Sequence, residues 1–228
     1  MGRKCLYVLA AILILASLQS CSSKPEQSVL KSYFHAIMLK DVTTMSTMAI
    51  EPMDIEADSW KITKASEEKI EAAFLPGLNK TEADLKKKLE EHVGPTLDAK
   101  DALDSATETY KATRTNAAKA KMGEAQAAYD KILVEHKDLQ KNYNDAKAAA
   151  AQEEEITKFS LGLGAGDIGN IRDLTGMVHS KDVTVETKNK AGQVKTYEFW
   201  IRQYDLKDEA VNLARHGRWI IVRINPVV

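Results

Sequence analysis

The chain has 228 residues with 32 basic and 33 acidic side chains, so its formal net charge is −1. Because the two signs nearly cancel, no strong electrostatic field is expected to attract the chain to nucleic acid or to anionic lipid. The length is sufficient for one hydrophobic core, or for one core with an appendage. Aromatic residues are concentrated near both ends of the chain, which predicts one globular body built from both ends.

The N-terminal segment has the composition of a secretory signal. Arg3 and Lys4 precede an apolar run over residues 6–16, which is too short to span a bilayer comfortably. The run leads into Leu-Gln-Ser-Cys at positions 18–21. A charged start, a short apolar run and small residues before a cleavage site are typical of an exported protein.

Residues 18–21 resemble the lipobox of bacterial lipoproteins, although Gln19 stands where a small residue is usual. The resemblance implies a signal peptide over residues 1–20, cleavage before Cys21 and lipidation of Cys21, followed by a tether over residues 21–27. It also implies that the mature chain has no disulfide, because Cys5 is removed and Cys21 is acylated. By the same analogy Ser22 favours the outer membrane, facing the periplasm. An ordinary signal peptide with an incidental cysteine is the alternative.

The next elements are helical. Apolar residues recur at three- and four-residue spacing from Val29 to Met38, which predicts an amphipathic helix, and Val42, Met45 and Met48 continue the period. The methionines are interpreted as core packing rather than as a soft metal site. Residues 60–62 are predicted to be irregular or a short strand, residues 66–74 a short helix, and Pro76-Gly77 its end.

Residues 80–155 are rich in strong helix formers and contain few large apolar side chains. Two rhythms with three- and four-residue spacing predict two antiparallel helices, and their phase slips near Gly123, where we place the turn. One continuous helix with a skip in the heptad is the alternative. Gly94-Pro95 is predicted to break or kink the first helix. The first rhythm consists of Leu103, Ala106, Tyr110, Thr113, Ala117 and Ala120, and the second of Ala125, Tyr129, Ile132, His136, Leu139, Tyr143, Ala146 and Ala150.

Alternating β-branched and aromatic residues predict three antiparallel strands near residues 183–187, 194–204 and 219–224, with a turn at 189–192. The charged stretch 206–215 is predicted to be a connection that is partly helical. The opening helix, with Leu30, Tyr33, Phe34 and Ile37, and a last strand introduced by Gly-Arg-Trp at 217–219 resemble NTF2-like domains. The resemblance implies an α+β fold in which helices pack against a curved antiparallel sheet to form a cone.

The resulting domain hypothesis is an NTF2-like body over residues 28–79 and 156–228, interrupted by a long antiparallel helical hairpin at residues 80–155. The glycine pattern at residues 164–169 matches a dinucleotide-binding motif but lacks a βαβ unit, so it is interpreted as a loop. The histidines are interpreted as scattered and solvated rather than zinc-binding, and Glu153–Glu155 as a solvated helix end rather than a calcium site.

Function is expected to be non-enzymatic, with no cofactor and no metal, since the sequence contains no convincing catalytic constellation. The expected partners are a membrane, through the lipid on Cys21, and an envelope protein or a second copy, through the helical arm. The alternative is an NTF2-like enzyme or small-ligand-binding protein, for which Tyr33, His35 and Asp41 would lie in the cone. A filled aromatic core favours the first hypothesis, and a cavity with converging polar groups favours the second.

Overall fold

A computed structural model describes residues 24–162, 168 and 170–227. The predicted signal peptide, Cys21 and most of the glycine pattern at 164–169 lie outside the described residues. The fold is α+β, with a curved antiparallel sheet of six strands and two long packed helices. Two compact units are present. The first unit comprises Met1–Lys69, His179–Gln203 and Trp219–Val228, and the second unit comprises Ile70–Val178 and Tyr204–Arg218.

The first two helices lie in the first unit. Helix α1 spans Pro25–Leu39, beginning inside the predicted tether at a proline whose missing N–H is no loss in a first turn. Lys40 ends α1 in the left-handed conformation, and helix α2 spans Val42–Ser46. The Asp41 carboxylate caps α2 by accepting a hydrogen bond of 3.0 Å from the Thr44 amide. The predicted amphipathic period is confirmed up to Ile37, whereas Met38 and Val42 are exposed.

The sheet contains β1 (Ser59–Ala65), β2 (Lys69–Ala72), β3 (Thr175–Lys188), β4 (Val194–Asp208), β5 (Leu213–His216) and β6 (Ile220–Val227). Its order is β1-β3-β4-β5, with β2 also paired to β3 and β6 to β4. The three predicted C-terminal strands are confirmed as β3, β4 and β6. The predicted helix over 66–74 is wrong, because residues 69–72 pair with β3, and the predicted connection 206–215 instead extends β4 and forms β5.

Aromatic side chains fill the core of the first unit. Tyr33, Phe34 and Phe199 are fully buried, and the Tyr33 and Phe199 rings meet edge to face with centroids 6.1 Å apart. The Trp60 ring stacks on Phe34 at 4.8 Å. Such ring pairs add specific attraction to the burial of large apolar surfaces. The inner faces of β3, β4 and β6 complete this cluster with Val183, Val185, Ile201, Ile221 and Ile224.

The two long helices lie in the second unit. Helix α3 spans Phe74–Thr113 and helix α4 spans Asn116–Leu161, so both extend beyond the predicted limits of 80 and 155. Pro76 does not end a helix; it sits in the first turn of α3, where a backbone N–H has no helical acceptor. The helix also continues through Pro95. The Thr96 hydroxyl donates to the His92 carbonyl one turn earlier, at 2.8 Å.

The predicted pair of helices is confirmed, but the predicted turn at Gly123 is wrong. The chain reverses at Arg114 and Thr115, and Gly123 lies inside α4. Arg114 adopts the left-handed conformation with φ 53°, and its amide donates to the Tyr110 carbonyl. The Thr115 hydroxyl caps α4 by accepting from the Ala118 amide at 3.2 Å. The chain therefore reverses at Arg114 and at Thr115, whose side chain caps α4, and not at the glycine that the sequence predicts.

Candidate functional site

The hairpin of α3 and α4 is held together by a regular seam. Within each helix, the side chains withdrawn from solvent recur with alternating three- and four-residue spacing, as in a coiled coil. All eight positions of the second predicted rhythm lie on the seam of α4, and that rhythm is confirmed. In the first rhythm only Leu103, Ala106 and Tyr110 lie on the seam. The seam of α3 is Leu78, Glu82, Leu85, Leu89, His92, Thr96, Ala99, Leu103, Ala106 and Tyr110.

The register follows from one observed contact. The rings of His92 and His136 face each other with centroids 5.7 Å apart. Counting outward from this contact by the same number of residues on both helices pairs a large with a small side chain in most layers, which suits close packing of the two helices. The resulting layers are Tyr110 with Ala118, Ala106 with Met122, Leu103 with Ala125, Ala99 with Tyr129, Thr96 with Ile132, Leu89 with Leu139, Leu85 with Tyr143, Glu82 with Ala146 and Leu78 with Ala150.

The histidine layer is a polar interruption of this seam. His92 Nδ1 lies 3.2 Å from the Thr96 hydroxyl, and its Nε2 lies 3.7 Å from a Glu135 carboxylate oxygen. His136 Nδ1 is buried and has no hydrogen-bond partner among the described residues. The sequence interpretation of scattered, solvated histidines is therefore wrong for this pair. Their separation along the chain hid them, and only the hairpin register brings them together.

Charged side chains join α3 and α4 to the 3₁₀ turn Ile171–Asp173 at the root of the hairpin. Arg172 donates from Nε to Glu154 at 2.6 Å and from Nη1 to Glu82 at 2.8 Å, while Lys158 donates to Glu154 at 2.6 Å. The hydrogen bonds from Lys158 and Arg172 hold the pKa of Glu154 below its usual range. Three segments distant in sequence are thereby tied together in the second unit.

Glu153 is also part of this root, so the predicted solvated helix end is wrong at this residue. Its side chain is buried, with the residue 7 % exposed, and accepts a hydrogen bond of 2.7 Å from the Tyr204 hydroxyl. Buried carboxylates need such donors because desolvation disfavours the charged form. No group of three or more His, Cys, Asp or Glu side chains suited to a metal ion occurs within the described parts of the chain.

A groove of about 670 Å³ lies beside α1 and β1 in the first unit. The Trp60 ring provides an apolar wall, and Lys31 and His35, one helical turn apart, provide polar atoms. The remaining lining residues are Gln27, Met38 and Ile62.

Two of the three side chains considered for catalysis, Tyr33 and Asp41, have structural roles, and the third, His35, does not meet them in one site. His35 lines the groove, whereas Asp41 caps α2, and hydrogen bonds from Thr44 lower the pKa of Asp41. The Tyr33 hydroxyl accepts from the Met53 amide at 2.9 Å and donates to the Met53 carbonyl at 3.2 Å. Burial raises the pKa of Tyr33, which keeps it a hydrogen-bond donor. Asp41 and Tyr33 are thus both engaged in hydrogen bonds with the backbone.

Across residues 24–162 and 170–227, no helix combines the length and the apolar character needed to cross a bilayer. Comparison of the chain with protein-family models, with curated proteins and with solved structures finds no match. The lipobox and NTF2-like resemblances therefore rest on the residues that carry them.

Proposed function

We propose that this chain is a lipid-anchored protein of the bacterial cell envelope that acts as an interaction module through its helical hairpin. The observation that carries the proposal is the seam between α3 and α4, which runs from Leu78 to Tyr110 on α3 and is interrupted by one polar layer, that of His92 and His136. Helices of 40 and 46 residues extend over about 60–70 Å at 1.5 Å per residue. They present charged outer surfaces over most of that length.

The anchor follows from the lipobox resemblance at residues 18–21. Cys21 precedes the start of α1 at Pro25 by four residues, which span at most about 14 Å when extended. The first unit would then be tethered close to the membrane surface, on the side to which the protein is exported. Two or three acyl chains hold such a protein firmly, because each buried methylene contributes about 0.8 kcal/mol.

The filled core of the first unit supports a structural role. Tyr33, Phe34 and Phe199 occupy the space between α1 and the sheet. The groove beside Trp60 lies outside this cluster of rings, and two of the side chains considered for catalysis, Tyr33 and Asp41, are engaged in backbone contacts. These features favour a protein that works through its surfaces.

The anchor is tested by replacing Cys21 with serine. We expect the Cys21→Ser chain to lose palmitate labelling and stable membrane association, since the thioether cannot form on a hydroxyl. Fractionation of cells grown with labelled palmitate measures both properties, and Cys5→Ser is the matched control, which should behave as wild type. Equal labelling of the wild-type and Cys21→Ser chains would overturn the anchor.

A second candidate function is binding of a small anionic ligand in the groove beside α1. Lys31 and His35 project from one face of α1 toward the same groove as the Trp60 ring, which suits a carboxylate attached to a flat apolar group. Titration of the full chain with benzoate as a probe should give a saturable change in tryptophan fluorescence, to which Trp60 contributes, and Lys31→Ala should abolish it. A response that is unsaturable, or that is unchanged in Lys31→Ala, would count against this function.

A further inference from the structure

One side of the hairpin carries an apolar patch halfway along its length. Val93 and Leu97 of α3 are 43 % and 55 % exposed, and Leu133 of α4 is half-buried. At about 100° per residue, Val93 and Leu97 lie within about 40° of each other on α3. Leu133 follows the seam residue Ile132 as Val93 follows His92, which places it on the same side of an antiparallel pair. We call Val93, Leu97 and Leu133 the mid-arm patch.

Charged residues flank the patch on α3 in a definite order. Lys86 and Glu90 precede it, and Lys100 and Asp104 follow it. By the same helical periodicity these four residues and the two apolar ones fall within an arc of about 80°, so they form one face. Along this face the signs run positive, negative, apolar, positive, negative. Within one chain the charges pair along the helix, Lys86 with Glu90 at 3.8 Å and Lys100 with Asp104 at 3.1 Å.

Charged residues of opposite sign also flank Leu133 on α4. Asp130 precedes Leu133 and Lys137 follows it, and both lie on its side of the helix. The midpoint of the α3 pattern is Pro95, and the register set by His92 and His136 places Pro95 level with Leu133. The charge patterns of the two helices therefore share one centre, although the two segments are unrelated in sequence.

We propose that the mid-arm patch is a self-association surface, on which a second copy of this chain docks antiparallel about a two-fold axis. In that arrangement α3 faces α3 of the other copy and α4 faces α4. Lys86 then meets Asp104, and Glu90 meets Lys100, while Val93 and Leu97 pack against each other. The axis that brings these pairs together also brings Asp130 against Lys137. Parallel docking in register would place every charge against its own sign.

This partner deepens the proposed role of the hairpin and rests on it, but it does not depend on the lipid. Three apolar side chains per copy form a small core, so the dimer should be weak and reversible. Exposed ion pairs contribute little affinity, yet they exclude a wrong orientation through like-charge contacts. The two-fold arrangement uses the same patch twice, as in most homodimers.

The apolar part is tested with the full-length chain purified in a mild nonionic detergent, by sedimentation equilibrium. We expect Leu97→Lys to raise the dimer dissociation constant at least tenfold. Val134→Lys is the matched control. Val134 is 58 % exposed, close to the 55 % of Leu97, but it lies about 100° from Leu133 around α4 and therefore outside the mid-arm patch. The control should change the constant less than threefold. A wild-type chain that stays monomeric, or an equal effect of both variants, would overturn the proposal.

The orientation is tested by charge reversal in the same assay. Glu90→Lys should weaken the dimer, and adding Lys100→Glu in the same chain should restore it, because the two positions face each other across the axis. A docking that set α3 against α4 would instead bring Glu90 near Lys137 and Lys100 near Asp130. The double variant would then form a weaker dimer than either single variant, which would contradict the α3-to-α3 arrangement proposed here.

Circular dichroism should show unchanged helix content in each variant. If dimerisation fails while Cys21-dependent fractionation holds, the lipid anchor stands and only the partner is wrong.

Discussion

Replacing Gly176 with alanine is expected to destabilise the second unit strongly, although the substitution adds only one methyl group. Gly176 is the second residue of β3 and has φ 141°, a conformation that L-residues rarely adopt. An added Cβ would lie 2.2 Å from the Asp205 carbonyl oxygen and 2.8 Å from the Leu206 Cα, and neither backbone atom can move freely. We expect a loss of about 4 kcal/mol or more in the free energy of unfolding, or failure to fold.

The matched control is the same substitution at Gly123. This residue lies inside α4, and a Cβ there would meet nothing within 4 Å. Gly123→Ala should therefore stabilise the chain by about 0.5–1 kcal/mol, because alanine loses less backbone freedom in a helix. Urea unfolding of the two variants, followed by circular dichroism, measures both effects. A marked loss of stability in Gly123→Ala would contradict the reversal at Arg114 and Thr115.

Lys181→Ala is the second substitution with a large expected effect. Lys181 Nζ donates to the Glu26 carboxylate at 2.7 Å, and the two side chains are only 11 % and 3 % exposed. Removing the lysine leaves a buried carboxylate without its cation, which destabilises proteins by about 3–5 kcal/mol. Lys61→Ala removes an ion pair with the same separation, to Glu186, in which the lysine is 65 % exposed. That control should lose less than about 1 kcal/mol.

The contribution of this pair has a definite pH dependence. Burial raises the pKa of Glu26, but the hydrogen bond from Lys181, a backbone hydrogen bond at Glu26 and the charge of Lys181 together outweigh burial, and the net shift is downward. The unfolded carboxylate therefore binds protons more readily than the folded one. Stability from this pair is present above about pH 4.5 and declines as the pH falls through the folded pKa. Lys181→Ala should flatten this decline in urea unfolding at pH 3–6. An equally steep decline in the variant would show that other carboxylates cause it.

The helical period of α4 could be predicted from the sequence because a seam repeats over many turns. Apolar residues occupy nearly all of its positions from Ala125 to Ala150, so the polar residue His136 does not obscure the three- and four-residue spacing. The strands β3, β4 and β6 were equally predictable from alternating β-branched and aromatic residues. The position of the reversal was not, because Thr113, Ala117 and Ala120 extend the apparent period past the end of α3. Glycine also adopts the left-handed conformation of a turn more readily than arginine, which favours Gly123 over Arg114 as the turn residue.

The α+β class, the two long helices and the resemblance at Cys21 could all be predicted from the sequence, because they depend on local composition and short-range spacing. The pairs of side chains that meet between distant segments could not be predicted in this way. Glu26 is distant in sequence from Lys181, and His92 from His136, and no local pattern encodes either contact. Strand β2 was missed for the same reason: its few residues resemble a charged helix, and pairing with β3 decides their conformation. Contacts between distant segments depend on how elements pack, which local propensity does not specify.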